Sequence, residues 1–208
     1  MIHHHYQAYY QTLDLAAEND VAQLLFPGWR NSLEKPFLFL GDFHPCLFTN
    51  LLRSFLEDSD DSEEGQYDFI NKPYQFAVAW RNASKNLMVK IEQIERGLRL
   101  MVPELNSRVR VLQGEFLERV AVKWVKYEGR KGNLRGEVEE ALVGKMEEMT
   151  CAFLDANRIR RSVLSEIMGA TNVYQAALFL EALSQFLVGF RNADLISEFE
   201  RKRENNRV

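Results

Sequence analysis

The sequence predicts an all-α protein, a single antiparallel bundle of about six helices over residues 1–208. Three observations carry that expectation. Apolar residues recur three or four apart along most of the 208 residues, the spacing of one helix face. Strict alternation of apolar and polar residues, the mark of a half-buried strand, is nowhere sustained. Prolines fall outside or between the apolar stripes, where helices start or stop.

Tyr6, Tyr10, Leu13, Ala17, Val21 and Leu24 give the stripe of a first helix. The segment "LEKPFLFLGDFHPCLFTNLLRSF", Leu33 to Phe55, sets five phenylalanines around Gly41-Asp42 and His44-Pro45. Phe37, Phe39, Phe43 and Phe48 are expected to form an aromatic wedge that joins the first helix to the bundle. Gly41 would supply its turn, and Pro45 would start the next helix. The run "EDSDDSEEG" then places Glu57, Asp58, Asp60, Asp61, Glu63 and Glu64 together with no base among them. Like charges at that density repel, so residues 57–72 read as an acidic mobile surface loop and a candidate partner surface.

The next stripe is Trp80, Ala83, Leu87, Ile91, Ile94, Leu98 and Met101. Pro103 is expected to separate it from Leu105, Val109, Leu112, Phe116, Val120, Trp124 and Tyr127. A basic, glycine-rich connector at 128–136 follows. Val138, Leu142, Met149, Phe153, Ala156, Ile159 and Val163 make a further stripe, and Val173, Ala177, Leu180, Leu183, Leu187 and Phe190 the last. Between these two, Thr171 or Asn172 is placed to cap a helix start. Long stripes with short connectors make antiparallel neighbours.

With 46% hydrophobic and 12% aromatic residues the chain has ample material for a core. Its net charge of −4 supplies no global basic field, so direct nucleic-acid binding is not expected. Arg158-Arg160-Arg161, Arg130-Lys131-Arg135 and Arg201-Lys202-Arg203 read as solvated charges on helix faces and loops. Cys46 and Cys151 lie far apart among apolar neighbours, which suits two buried free thiols better than a disulfide framework. No signal-peptide pattern opens the chain and no window of 18 apolar residues occurs, so a soluble intracellular protein is expected.

Candidate chemistry is sparse. Asp42, His44 and Cys46 resemble a nucleophile with its base, but Phe43, Pro45, Leu47 and Phe48 make an apolar setting that does not favour a thiolate. No second histidine and no glycine-rich elbow accompany them, and no phosphate-binding or zinc-protease motif occurs. His3, His4 and His5 are adjacent, so on a helix they diverge, and no metal site is expected there. The acidic run lacks the alternating oxygen ligands of a calcium loop. Trp29, Trp80 and Trp124 read as core aromatics. Periodicity leaves open whether the core is filled or lines a slot for an apolar ligand.

Against this reading, "HYQAYYQTLDLAAENDVAQLLFPGWRNSLEKPFLFLGDFHPCLF" resembles the opening of the plant delay-of-germination domain. His5, Tyr6, Tyr9, Tyr10, Ala17, Asp20, Trp29, Glu34, Phe39, Gly41 and Pro45 fall on that family's pattern. The closing stretch "LDANRIRRSVLSEIMGATNVYQAALFLEALSQFL" is similar to the family's last helices through Asp155, Arg158, Gln175, Ala176 and Leu180. The wording around Asp42 departs from the usual tryptophan-containing core and is most like the family's pollen-aperture branch. These signature positions are structural, so they specify a fold and name no reaction.

The resemblance implies a non-enzymatic plant protein that marks plasma-membrane domains where pollen exine is not deposited. It would work through other proteins, membrane-associated aperture factors among them, with self-association left open. Its own net charge is repelled by an anionic membrane, so membrane association would be indirect. The transcription-factor branch carries a basic helix and leucine zipper ahead of the domain, and neither is in this sequence. Haem is ascribed to the germination branch through late histidines; none follows His44, so no cofactor is expected. The alternative is a nuclear germination or transcription regulator of the same family with an apolar ligand in its helical core.

Overall fold

A computed structural model describes residues 2–60, 79–80, 84–126 and 134–205. Among them are six helices and one short hairpin, and the all-α expectation holds. The helices are α1 (Ile2–Leu25), α2 (Cys46–Asp60), α3 (Lys85–Lys126), α4 (Leu134–Ala170), α5 (Val173–Gly189) and α6 (Ala193–Asn205). The hairpin pairs β1 (Leu38–Phe39) with β2 (Asp42–Phe43), Leu38 opposite Phe43 and Phe39 opposite Asp42.

The predicted stripe of α1 is the buried one: Tyr6, Tyr10, Ala17, Val21 and Leu24 all face inward. The helix breaks locally at Asp20, whose φ of −154° and ψ of 87° are extended. Asp20 Oδ1 accepts the backbone N–H of Gln23 at 3.1 Å. A side-chain acceptor three residues ahead of a donor is the geometry of an N-cap, so Asp20 restarts the helix it interrupts.

Pro103 does not separate two helices. α3 runs through it for 42 residues. The buried residues explain why: Leu98, Val102, Leu105, Val109 and Leu112 keep one uninterrupted helical phase, so a single face packs along its whole length. Val102, not Met101, carries the stripe past the proline, and Met101 is exposed. Pro103 itself is exposed. Its missing N–H removes one hydrogen bond from the solvent side of the helix, and continuous tertiary packing outweighs that loss.

Ion pairs fix the direction of packing. Lys145 reaches Glu115, Arg108 reaches Asp155 at 2.7 Å and Lys90 reaches Glu166 at 3.1 Å, so α3 and α4 run antiparallel. Asn157 Nδ2 donates to Asp14 Oδ1 at 2.8 Å and Gln7 Nε2 to Ser165 Oγ at 3.0 Å, which sets α1 antiparallel to α4 as well. α4 is thus the central helix, with its most extensive packing against α1 and α3. Trp80, Phe48, Leu52, Ile91, Leu164 and Phe179 lie in the main core, while Ala17, Val21, Leu24 and Phe153 form a second cluster under the end of α1.

Asn172 caps α5 through a reciprocal box. Its side chain accepts from Gln175 N at 2.9 Å, and Gln175 Oε1 accepts from Asn172 N at 3.1 Å. Gln175 also donates to the Ala79 carbonyl at 2.9 Å, which ties the cap to the segment carrying Trp80. Asn172→Ala is expected to cost about 1 kcal/mol. The measurement is the urea midpoint, with the slope of the transition unchanged.

Several expectations are corrected. Val173, the first member of the last predicted stripe, is 89% exposed, and Ala177 is exposed too; Gln175, Leu178 and Phe179 face the core instead. Cys151 is exposed and Cys46 partly buried, so they are not two buried thiols. Trp80 is a core residue as expected, but Trp29 is 51% exposed. The side chain of Trp124 lies outside the described residues. α2 continues through Asp60, so the backbone at Glu57, Asp58 and Asp60 is helical and not looped. Their side chains, and Asp61, Glu63 and Glu64 entirely, lie outside the described residues. Of the glycine-rich connector, 128–133 lies outside them, and 134–136 already belongs to α4. Among the described residues no single helix is long and apolar enough to cross a membrane.

Candidate functional site

The hairpin exists because two successive residues adopt left-handed backbone: Leu40 at φ 44° and Gly41 at φ 85°. Two positive φ values at the centre of a two-residue connection match the twist of antiparallel strands. Gly41 also lies against the end of α1. A Cβ there would stand 2.2 Å from the Leu24 carbonyl oxygen and 3.1 Å from the Phe153 ring. The turn therefore touches both the first helix and the central one.

Arg160 of α4 holds the hairpin from inside. It is fully buried. Nε donates to the Phe43 carbonyl at 2.8 Å, Nη1 to Asn157 Oδ1 at 2.7 Å, and Nη2 to the carbonyls of Asp42, at 3.1 Å, and Phe39. A guanidinium has a rigid fork of five donors, and here one cation reaches three carbonyls of the hairpin at once. Burial pulls the Arg160 pKa down; the charge of Asp42 and the nearby Tyr10 and Tyr9 act the other way. Arg160 was expected on a solvated face and is instead the most deeply engaged charge described. Of its neighbours in sequence, Arg158 is exposed and Arg161 reaches Gln7 and Asp14.

On the outer side of the hairpin lies a second cluster. Arg30 Nη1 donates to Glu34 Oε1 at 3.0 Å, and Nη2 to Asp42 Oδ1 at 2.7 Å and to the Tyr9 hydroxyl at 3.1 Å. Glu34 Oε2 also accepts the Asn31 backbone N–H at 2.9 Å, and Asp42 Oδ1 that of Phe43 at 2.7 Å. The Arg30 guanidinium sits 4.7 Å over the Phe43 ring. Burial, then the Asp42 charge, pushes the Tyr9 phenol up, and burial holds the Tyr10 phenol well above its ordinary value, so both stay protonated. These residues line a pocket of about 410 Å³ between α1, the hairpin and α5, with Trp29 at its edge and Ser184, Leu187 and Arg191 on the far wall.

The signature positions thus divide. Tyr6, Tyr10, Trp29, Glu34 and Asp42 meet at this pocket, and Phe39 and Gly41 build the hairpin beneath it. Asp20 restarts α1, Gln175 caps α5, and Asp155 pairs with Arg108 and Arg158 on the opposite face. Arg30, Asn157 and Arg160 were missed. Arg160 carried a legible signal: it falls in phase with Ala156, Val163 and Ile167 on a buried stripe, where a charge requires partners.

The Asp42-His44-Cys46 constellation dissolves in the structure. Asp42 is committed to Arg30. His44 Nδ1 accepts the Cys46 backbone N–H at 3.2 Å, capping α2 immediately ahead of Pro45. Burial, and then Glu95, pushes the Cys46 thiol up, away from a thiolate. Burial, then Arg160, lowers the His44 pKa. A depressed pKa means that the unfolded chain binds the proton more readily. His44 therefore contributes stability that is present above its unfolded value near 6.5 and lost as pH falls through its lower folded value. Protonation would also replace the Nδ1 acceptor by a donor. His44→Asn keeps a capping acceptor without titrating, and it is expected to flatten the loss of stability below neutral pH, as read from urea unfolding at several pH values. Among the described residues no group of three or more metal-ligating side chains occurs.

A family model described as DOG1, seed dormancy control, matches residues 1–54, the part of the chain that builds α1, the hairpin and the start of α2. Over 94% of its length the chain is 50% identical to Protein INAPERTURATE POLLEN1 of Arabidopsis thaliana, covering 77% of that protein. It is 34% identical to Protein INAPERTURATE POLLEN 1 homolog of Oryza sativa subsp. japonica over 96% of its length, covering 68% of that protein. Protein ZW2 of Arabidopsis thaliana is 23% identical over 90% of the chain.

Proposed function

The chain belongs to the INAPERTURATE POLLEN1 family of delay-of-germination-domain proteins, and from that premise we propose that it specifies pollen aperture sites as a non-enzymatic factor at plasma-membrane domains. The observation that carries the proposal is 50% identity along nearly the whole chain to a relative named for pollen without apertures. The chemistry of the site agrees with a protein that binds and does not turn over. Its one cysteine–histidine pair is spent on capping a helix, with the thiol pushed away from ionisation. Its buried arginine and carboxylates are spent on holding the hairpin in place.

In this reading helix faces and the acidic residues Glu57, Asp58, Asp60, Asp61, Glu63 and Glu64 meet protein partners, membrane-associated aperture factors. Those partners bring the chain to the membrane, because a net charge of −4 is repelled by an anionic leaflet. The match of residues 1–54 to a seed-dormancy family favours the second reading, a nuclear regulator of the same domain family. Imaging a fluorescently tagged chain in developing pollen separates the two. Discrete patches at the plasma membrane are expected; signal confined to the nucleus would sustain the regulator reading and overturn the aperture one.

A further inference from the structure

The pocket between α1, the hairpin and α5 holds one cation more than its own carboxylates balance. Arg30 pairs with Glu34 and Asp42, and the charge of Asp42 also acts on Arg160 from beneath the hairpin. Two cations there meet two carboxylates. Arg191 on the far wall adds a third cation, with His5 at the same pocket counted neutral at pH 7. Arg191 is exposed and forms no ion pair among the described residues. Nor is its side chain needed to close α5. The Val188 carbonyl accepts the Arg191 backbone N–H at 2.9 Å, Gly189 that of Asn192 at 3.1 Å, and Phe190 accepts Asn31 Nδ2 at 2.8 Å.

A second group faces the same space without a partner. Tyr10 lines the pocket and is only 3% exposed. Its hydroxyl makes no hydrogen bond among the described residues. Unlike Arg30 Nε and Asp42 Oδ2, that hydroxyl is not sealed from a water-sized molecule. A protonated phenol so placed is a donor without an acceptor. The two groups share one end of the pocket. Tyr6 meets Ser184 at 3.2 Å; one turn on, Tyr10 feels the charge of Asp42, whose neighbour Phe43 stacks on Phe190, next to Arg191, at 5.3 Å.

We propose that this pocket binds a small aromatic monocarboxylate, its carboxylate held by the Arg191 guanidinium and the Tyr10 hydroxyl and its ring among Tyr6, Phe43 and Phe48. One surplus cation calls for one negative charge, and a second would be repelled by Glu34 and Asp42. A carboxylate accepts from both free donors at once. The aromatic walls suit a flat ring, and Trp29 at the rim can stack on it. A volume of about 410 Å³ lies in the range of small-molecule sites. The site rests on the pocket alone, so its failure and that of the aperture reading are separate results.

The test uses 2-naphthoate as the probe and 2-naphthamide, of the same shape without the charge, as its control. Binding is followed through the indole N–H signal of Trp29 and the backbone amides of Tyr10 and Arg191 in the nitrogen-15-labelled chain. 2-Naphthoate is expected to give saturable shifts at these positions, with 2-naphthamide roughly tenfold weaker, the worth of one charge-assisted hydrogen bond. Arg191→Gln is expected to weaken 2-naphthoate by about the same factor and to leave 2-naphthamide nearly unchanged. Tyr10→Phe is expected to weaken 2-naphthoate roughly fivefold without lowering the urea midpoint, because its hydroxyl has no partner to lose. Val188→Trp, an exposed position at the pocket, closes the mouth and is expected to abolish the response in a chain that stays folded. Absence of saturable shifts with 2-naphthoate, equal binding of 2-naphthamide, or full binding to any of the three folded variants would each overturn the site.

Discussion

Arg160→Met is expected to destabilise the fold by about 3–5 kcal/mol, the largest effect of any single change described. Methionine matches the length of the arginine stem but none of its donors. Its introduction leaves the carbonyls of Phe39, Asp42 and Phe43 and the side-chain oxygen of Asn157 without the partner they now share. Each buried acceptor so orphaned carries a desolvation cost of about 1–3 kcal/mol, partly relieved where water enters. Asp42 would also lose one of the two cations that balance it. A domain is stable by only about 5–15 kcal/mol, so the variant should unfold at the mildest denaturant concentrations or fail to accumulate. Arg160→Lys restores the charge but not the fork, and a recovery of less than half is expected. Urea unfolding followed by circular dichroism checks both. A midpoint for Arg160→Met within error of the parent chain would show that the clamp does not hold the hairpin.

Gly41→Ala is the second large effect, expected at about 2–5 kcal/mol. Two causes add. At φ 85° a Cβ is sterically disfavoured, a cost of about 1–2 kcal/mol. The new methyl would then meet the Leu24 carbonyl oxygen at 2.2 Å. That atom belongs to the last turn of α1 and cannot rotate away, so the hairpin must shift off the helix, at about 1–3 kcal/mol by analogy with overpacked cores. Gly28 is a useful control, because nothing lies within 4 Å of a Cβ there and its φ is not left-handed. Urea unfolding checks both, and Gly28→Ala should leave the midpoint close to that of the parent chain.

The helical frame was legible because burial follows one period. Tyr6, Tyr10, Ala17, Val21 and Leu24 could be read directly, since nothing but core packing selects apolar residues at that spacing. The same logic misplaced the break at Pro103. A local rule about one residue was set against the phase of the residues around it, and Leu98, Val102 and Leu105 show that phase prevails. The last stripe was out of phase at its start: Val173 and Ala177 are exposed while Gln175, Leu178 and Phe179 face the core, because the inward position of the first turn is held by a polar capping residue that gives no apolar signal. The helix Ala193–Asn205 follows no apolar stripe and had no such signal.

The site was half legible. Gly41 could be marked as a turn, and Tyr6, Tyr10, Trp29, Glu34 and Asp42 as signature positions, but nothing in a linear pattern says that they converge. Convergence depends on Arg160, 118 residues from Asp42. A charge within a basic cluster looks solvated unless its phase on the helix is weighed, and Arg158 and Arg160 differ by only that phase. Trp29 misled in the opposite direction: an aromatic near a core stripe stands half exposed at the pocket rim.

A role for this chain in specifying apertures is tested in pollen itself. The chain would be expressed, under the promoter of its relative, in Arabidopsis thaliana plants lacking INAPERTURATE POLLEN1, and apertures counted per grain. Restored apertures are expected from the parent chain, and grains without apertures from Arg160→Met. Grains that stay without apertures while the parent chain accumulates, folded, in developing pollen would overturn the aperture role.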